Sequence, residues 1–138
     1  MQFAEHTIDI AATPQCVWDV LTLTHFIRQW DDVPAEFGAE RVSLGAELTW
    51  PGHATLTFTA FEPPTRLYAS LRVHKWERPP AGAVGYEYRV TATNDGARLT
   101  LRVGDFAYVP DGAQFQEASA EFVVVAAATI KQLAESVS

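Results

Sequence analysis

Four histidines, one cysteine, two adjacent aspartates and a few aromatic side chains with polar tips are the residues here whose types could do chemistry. His6, His25, His53 and His74 show neither H-x-H nor H-x₃-H spacing and no acidic partner at a metal-site interval, so no metal centre is expected. His53, beside Pro51-Gly52 at a strand start, is placed to reach a pocket mouth as a general base, although parity along its strand turns it outward. Cys16 would occupy the third position of a helix, where the dipole can activate a thiolate. A nucleophile also needs a placed base, and no Cys-His pattern supplies one, so Cys16 reads as buried filler. Asp31-Asp32, with Glu36 or Glu40, has the composition of a cation site but falls at a helix end, where solvation accounts for it. No G-x-S-x-G, P-loop or dinucleotide fingerprint occurs, which argues against a conventional hydrolase or nucleotide enzyme. No catalytic residue and no cofactor is assigned.

The elements that must position these groups are legible from spacing. Thr7-Ile8-Asp9-Ile10 alternates as a half-buried strand. Thr13 then caps a helix with Pro14 at its first position and Val17, Trp18 and Leu21 on one face. A second short helix from Thr24 buries Phe26, Ile27 and Trp30 and is stopped by Asp31-Asp32 and Pro34. Strands are expected over Glu36–Leu44, Glu47–Trp50, Ala54–Phe61, Leu67–Trp76, Val84–Thr93 and Leu99–Phe106, punctuated by Gly45, Pro51-Gly52, Pro63-Pro64, the Glu77–Gly82 loop and Asn94-Asp95-Gly96. Asp111 and Gln114 resemble a capping box, with Pro110 stapling onto Phe115. They open a helix of about 26 residues to Val137, with Phe115, Phe122, Ala126, Thr129, Leu133 and Val137 as its core stripe. This is an α+β arrangement: a curved antiparallel sheet of six or seven strands, two short helices after the first strand, and a long C-terminal helix packed across the apolar sheet face.

The 138 residues are sufficient for one domain spanning 1–138 with a full core. Ten basic and seventeen acidic residues leave a net charge of −7, which disfavours nucleic acid and anionic membrane as partners. No apolar run approaches the roughly 20 residues of a membrane span, and no secretory signal is visible, so a cytoplasmic location is expected. All the excess acid lies in residues 1–62, which hold two basic and nine acidic residues. The later half carries Arg66, Arg72, Lys75, Arg78, Arg89, Arg98 and Arg102, an outer face expected to be cross-paired with residues such as Glu77 and Glu87.

Ile8-Asp9-Ile10, the run from Ala12 to Thr22, and His25-Phe26-Ile27-Arg28-Gln29-Trp30 resemble the opening of the START and birch-pollen-allergen (SRPBCC) superfamily. Glu62-Pro63-Pro64-Thr65-Arg66-Leu67-Tyr68 and Gly96-Ala97-Arg98-Leu99-Thr100-Leu101 resemble later segments of one branch, the homologues of the activator of heat-shock-protein-90 ATPase. The resemblance covers nearly the whole chain and implies a helix-grip fold with a cavity between sheet and helix. It implies function loosely, because the superfamily hosts carriers, cyclases, hydroxylase components and co-chaperones. The family commonly places a further aromatic directly after the position of Trp30. Here Asp31-Asp32 follows, so no ligand contact is carried over at that rim.

Strand parity turns Leu48 and Trp50, Leu56, Phe58 and Ala60, Leu67 to Val73 in alternation, Tyr86, Tyr88 and Val90, and Leu99, Leu101 and Val103 to one inner face. That lining is apolar, with one indole N–H and two phenol O–H groups at its tips. The expected activity is binding of a small hydrophobic or aromatic molecule by Trp50, Phe58, Leu71, Tyr86, Tyr88, Leu101, Phe115, Phe122 and Ala126. One alternative is a cyclase or dehydratase in which Tyr86 or Tyr88 donates to an enolate and His53 or Asp105 moves a proton. Another is a co-chaperone-like interaction or stress-response protein docking through the basic face. Phe122 to Ala128 is apolar all round the helix, and Val124 lies about 200° from Phe122. A homodimer contact through this helix is therefore expected.

Overall fold

The computed structural model describes residues 2–74 and 84–137. The alternation around Ile8 gives β1 (Ala4–Ile10), which buries Ala4 and Ile10 and exposes Glu5, Thr7 and Asp9. Thr13 caps α1 (Pro14–Thr22) through its Oγ1, which accepts the Cys16 N–H at 3.1 Å. Val17, Trp18, Val20 and Leu21 form its buried face. The second helix, α2 (Thr24–Trp30), ends where the Asp31 N–H donates to the Ile27 carbonyl at 2.8 Å.

The remaining strands are β2 (Glu47–Trp50), β3 (Ala54–Glu62), β4 (Arg66–Val73), β5 (Gly85–Thr93) and β6 (Gly96–Gly104). They form one antiparallel sheet of six strands in the order β1-β6-β5-β4-β3-β2. The β5–β6 hairpin turns at Asn94-Asp95, with Thr93 opposite Gly96. Glycine is required there because a Cβ on Gly96 would stand 2.3 Å from the Ile10 carbonyl oxygen. The tail of the expected fourth strand (Lys75 and Trp76), the Glu77–Gly82 loop, Arg78 and the proposed partner Glu77 lie outside the described residues.

Cross-strand register builds continuous inner-face rows. Phe58 pairs with Ala69, Ala69 with Tyr86, Tyr86 with Val103 and Val103 with Ala4. The next row runs Phe61, Leu67, Tyr88, Leu101, His6. Phe61 belongs to it because a bulge between Phe58 and Ala60 shifts the register. One extra residue reverses the facing of everything beyond it. Ala60, expected inside, therefore stands opposite Tyr68, while Phe61 meets Trp18 edge-on with centroids 5.2 Å apart.

Glu36–Leu44 is not a strand. The chain instead crosses the α1–α2 junction as irregular backbone with a single bridge from Arg41 to Leu23. Side-chain bonds hold it there: Arg41 donates to Thr22 Oγ1 and, at 2.9 Å, to Asp19, while the Thr24 hydroxyl donates to the Ala39 carbonyl at 2.6 Å. Val42 is fully buried as a result.

The C-terminal helix α3 (Gly112–Val137) follows a 3₁₀ turn at Phe106–Tyr108. No capping box forms: Asp111 stands at φ 58°, and its carbonyl accepts the N–H groups of Gln114 and Phe115. Phe115 stacks on Phe106, with centroids 6.1 Å apart. The buried stripe is Val123, Ala126, Ala127, Ile130 and Ala134, rotated from the expected one. Thr129 turns its hydroxyl back onto the Val125 carbonyl, and Val137 is 55% exposed. The helix lies closest to β1 and β6 and also packs on α1, α2 and the 3₁₀ turn. The grip is therefore off-centre, tightest at the β1 side of the sheet.

Candidate functional site

Because α3 favours β1 and β6, the inner face toward β2, β3 and β4 is less completely covered. Trp50, Leu71, Val73, Tyr86, Phe115 and Phe122 all pack against the core yet remain only partly buried. Phe58, Tyr88, Leu101 and Ala126 are buried beneath or beside them. The structure brings two expected site residues into contact: the Tyr86 and Phe122 rings meet edge-to-face at 5.7 Å. A hollow of about 280 Å³ is lined by Gly52, His53, Ala54, Val73 and Phe115, between the β2–β3 turn and the start of α3. His53 thus reaches a concave surface from an exposed position.

The polar tips have separate fates. The Trp50 indole N–H donates to Asp32 Oδ2 at 3.0 Å and is taken. Tyr88 is only 4% exposed, and neither its hydroxyl nor that of Tyr86 has a hydrogen-bond partner among the described residues. Burial, joined by the negative charge of Asp31, pushes the Tyr86 phenol up to about 12 and raises Tyr88 well above its ordinary value. Both hydroxyls stay protonated and able to donate.

Asp31 is the candidate that the sequence reading set aside as a solvated helix end. It does not project into solvent from the end of α2. It is partly buried, and that burial pushes its carboxyl up to about 6, with the adjacent Asp32 charge adding to the rise. Its Oδ1 accepts only the Asp32 N–H at 2.8 Å, and no cation pairs with it among the described residues. The available signal was the replacement of an aromatic residue after Trp30 by an acid.

The other candidates are accounted for structurally. Asp105 is buried as the cap of the 3₁₀ turn: Oδ1 accepts the Gln2 N–H at 2.7 Å and the Ala107 N–H at 2.9 Å. These bonds hold its carboxyl below the usual carboxylate range. Cys16 donates to the Ala134 carbonyl at 3.3 Å, and burial raises its thiol rather than activating it. His74 lies 3.1 Å from the Thr55 hydroxyl, and His25 rests on Phe26. No group of three metal-ligating side chains occurs among the described residues. On the outer face Arg66 and Arg89 share Glu87, Arg98 pairs with Asp9, and Arg102 lies over the Phe3 ring and 3.9 Å from Glu5. This part of the basic face is cross-paired, as expected. No described helix is long and apolar enough to cross a membrane.

Comparison with known proteins follows the same outline. Several solved structures share the fold at low identity. MLL2253 from Mesorhizobium loti is 16% identical over 95% of each chain, with a TM-score of 0.74. The Aha1 dimer from Colwellia psychrerythraea is 12% identical over 98% of this chain and 97% of that one, at 0.71. CalU16 from Micromonospora echinospora is 20% identical over 94% of this chain and 70% of that one, at 0.66. At these identities the likeness establishes the fold alone. No curated protein matches the chain. The family described as Activator of Hsp90 ATPase homolog 1-like protein matches residues 11–137. With six strands, two short helices and one long helix in the order that family resemblance implies, the chain belongs to the Activator of Hsp90 ATPase homolog 1-like protein family.

Proposed function

We propose that this protein binds a small hydrophobic or aromatic molecule between its sheet and α3. The observation that carries this reading is the half-buried state of inner-face side chains. Trp50, Leu71, Tyr86 and Phe122 point toward the core side and still keep part of their surface open. A ligand filling that space gains roughly 25 cal/mol for each Å² of apolar surface it removes from water. The phenols of Tyr86 and Tyr88, without hydrogen-bond partners among the described residues, would fix its orientation. Native mass spectrometry, combined with quenching of the tryptophans by a panel of hydrophobic ligands, tests the proposal. Finding neither a co-purified ligand nor saturable quenching would overturn it.

The cyclase alternative loses Asp105, whose carboxylate is occupied by two backbone N–H groups. It retains His53 at the edge of its hollow. The co-chaperone alternative draws on the family match, while the paired outer face speaks against free basic docking groups there.

The second part of the proposal is a homodimer through α3. Val124 and Val125 are 49% and 59% exposed on one helix. A structural neighbour of the same fold, Aha1 from Colwellia psychrerythraea, is described as a dimer. A second copy is the occupant we propose for that apolar face.

A further inference from the structure

We propose that the ligand is an apolar molecule ending in an amine, whose ammonium group sits between the carboxylate of Asp31 and the phenols of Tyr86 and Tyr88. This rests on the binding reading above and names the chemistry of the ligand's polar end.

Three observations converge on it. First, Tyr88 is almost fully buried and its hydroxyl has no protein partner among the described residues. Buried phenols are normally bonded, so an orphan one marks the place of an absent group. Second, Asp31 is partly buried directly after Trp30, whose ring meets Tyr88, and among the described residues no cation and no donor side chain bonds its carboxylate. A carboxylate held among rings is favoured only when an opposite charge joins it. Burial lifts its pKa, and an arriving ammonium would restore the charged form. Third, the surrounding surfaces are aromatic: Trp30 stands edge-on to Tyr88, and Tyr86 edge-on to Phe122. Ring faces attract an organic cation as well as its apolar body.

Other polar ends fit less well. A carboxylate or phosphate would face Asp31 directly, with Asp32 next to it bonded to Trp50. A neutral alcohol can satisfy a phenol but leaves the charge of Asp31 uncompensated. A metal ion lacks its ligands, because no three metal-ligating groups gather among the described residues.

The experiment is calorimetric titration of 4-phenylbutylamine, 4-phenylbutanol and 4-phenylbutyrate into the full chain at pH 7.5, with Asp31→Asn and Asp31→Ser in parallel. The three probes share one apolar body and differ only at the polar end. The amine is expected to bind the wild-type protein about tenfold more tightly than the alcohol, with the acid weakest. Both variants should abolish that preference, bringing the amine and the alcohol to within about twofold of each other. Equal binding of amine and alcohol to the wild-type protein, or a preference that survives in a variant folded by circular dichroism, overturns this inference alone. If no probe binds, the binding reading and this inference fall together.

Discussion

The indole of Trp30 stands edge-on to the ring of Tyr88, with centroids 5.7 Å apart and planes at 66°. A second bond locks the indole, whose N–H donates to the Val20 carbonyl at 2.9 Å. Together these contacts press the end of α2 onto β5. The next residue, Asp31, is thereby brought close enough for its charge to raise both phenols.

Replacing Tyr88 with Phe keeps the Trp30 contact and removes only a hydroxyl that has no partner among the described residues. Stability should be unchanged or higher by about 1 kcal/mol, because a buried unsatisfied polar group is removed. Urea denaturation checks this. A loss above about 1 kcal/mol would mean that the hydroxyl is bonded in the folded protein.

Asp31 predicts a pH dependence of definite sign. Its folded pKa, about 6, lies above the ordinary 3.8, so the folded state holds the proton more tightly than the unfolded one. The stabilisation from this group is present at low pH and is lost as pH rises from about 4 through 6. Asp31→Asn should therefore match wild type near pH 4 and exceed it at pH 7.5 by ~1–2 kcal/mol, the partial exposure reducing the full effect of the shift. Chemical denaturation at several pH values measures the difference between the two proteins. A gap that stays constant with pH contradicts the assignment.

Asp105 carries the opposite sign. Its pKa is lowered by the Gln2 and Ala107 N–H groups, so its stabilisation is present at neutral pH and fades as pH falls through the carboxylate range. Asp105→Ala should lower the melting temperature at pH 7 while leaving the affinity for a hydrophobic probe unaltered. A change in probe affinity without loss of stability would return Asp105 to the cyclase reading.

Two residues of the C-terminal third of α3 make a contrasting pair. Ile130 is fully buried, so Ile130→Ala should cost ~2–5 kcal/mol through lost burial and the cavity left behind. Val137, half exposed, should tolerate Val137→Ala within about 0.5 kcal/mol. Thermal melts of both variants decide whether the stripe is the observed one.

Val124→Asp combined with Val125→Asp should convert a dimer to a folded monomer in light scattering at high micromolar concentration. A wild-type protein that is already monomeric there removes the α3 dimer.

Most of the architecture was legible because it rests on local chemistry. Pro14 after Thr13, the Asn94-Asp95-Gly96 turn and the alternation in β4, β5 and β6 depend on residues within a few positions of one another. The inward side of Leu71, Tyr86, Tyr88 and Leu101 follows from the two-residue period alone, and the structure keeps it.

What the sequence by itself determined is therefore the order of elements, the family outline and the facing of most side chains. Tertiary structure decided the rest, because those features depend on partners distant along the chain. The bulge before Ala60 is a mismatch with β4, so it reverses Phe61 without a local sign in β3. Glu36–Leu44 has strand-like composition but is claimed by Asp19 and Thr22 through Arg41. The α3 stripe rotated because the helix settled toward β1 and β6. Asp31 reads as a solvated helix end until Trp30 docks on Tyr88. Its burial is a property of how α2 meets β5, and periodicity within either segment carries no information about that meeting.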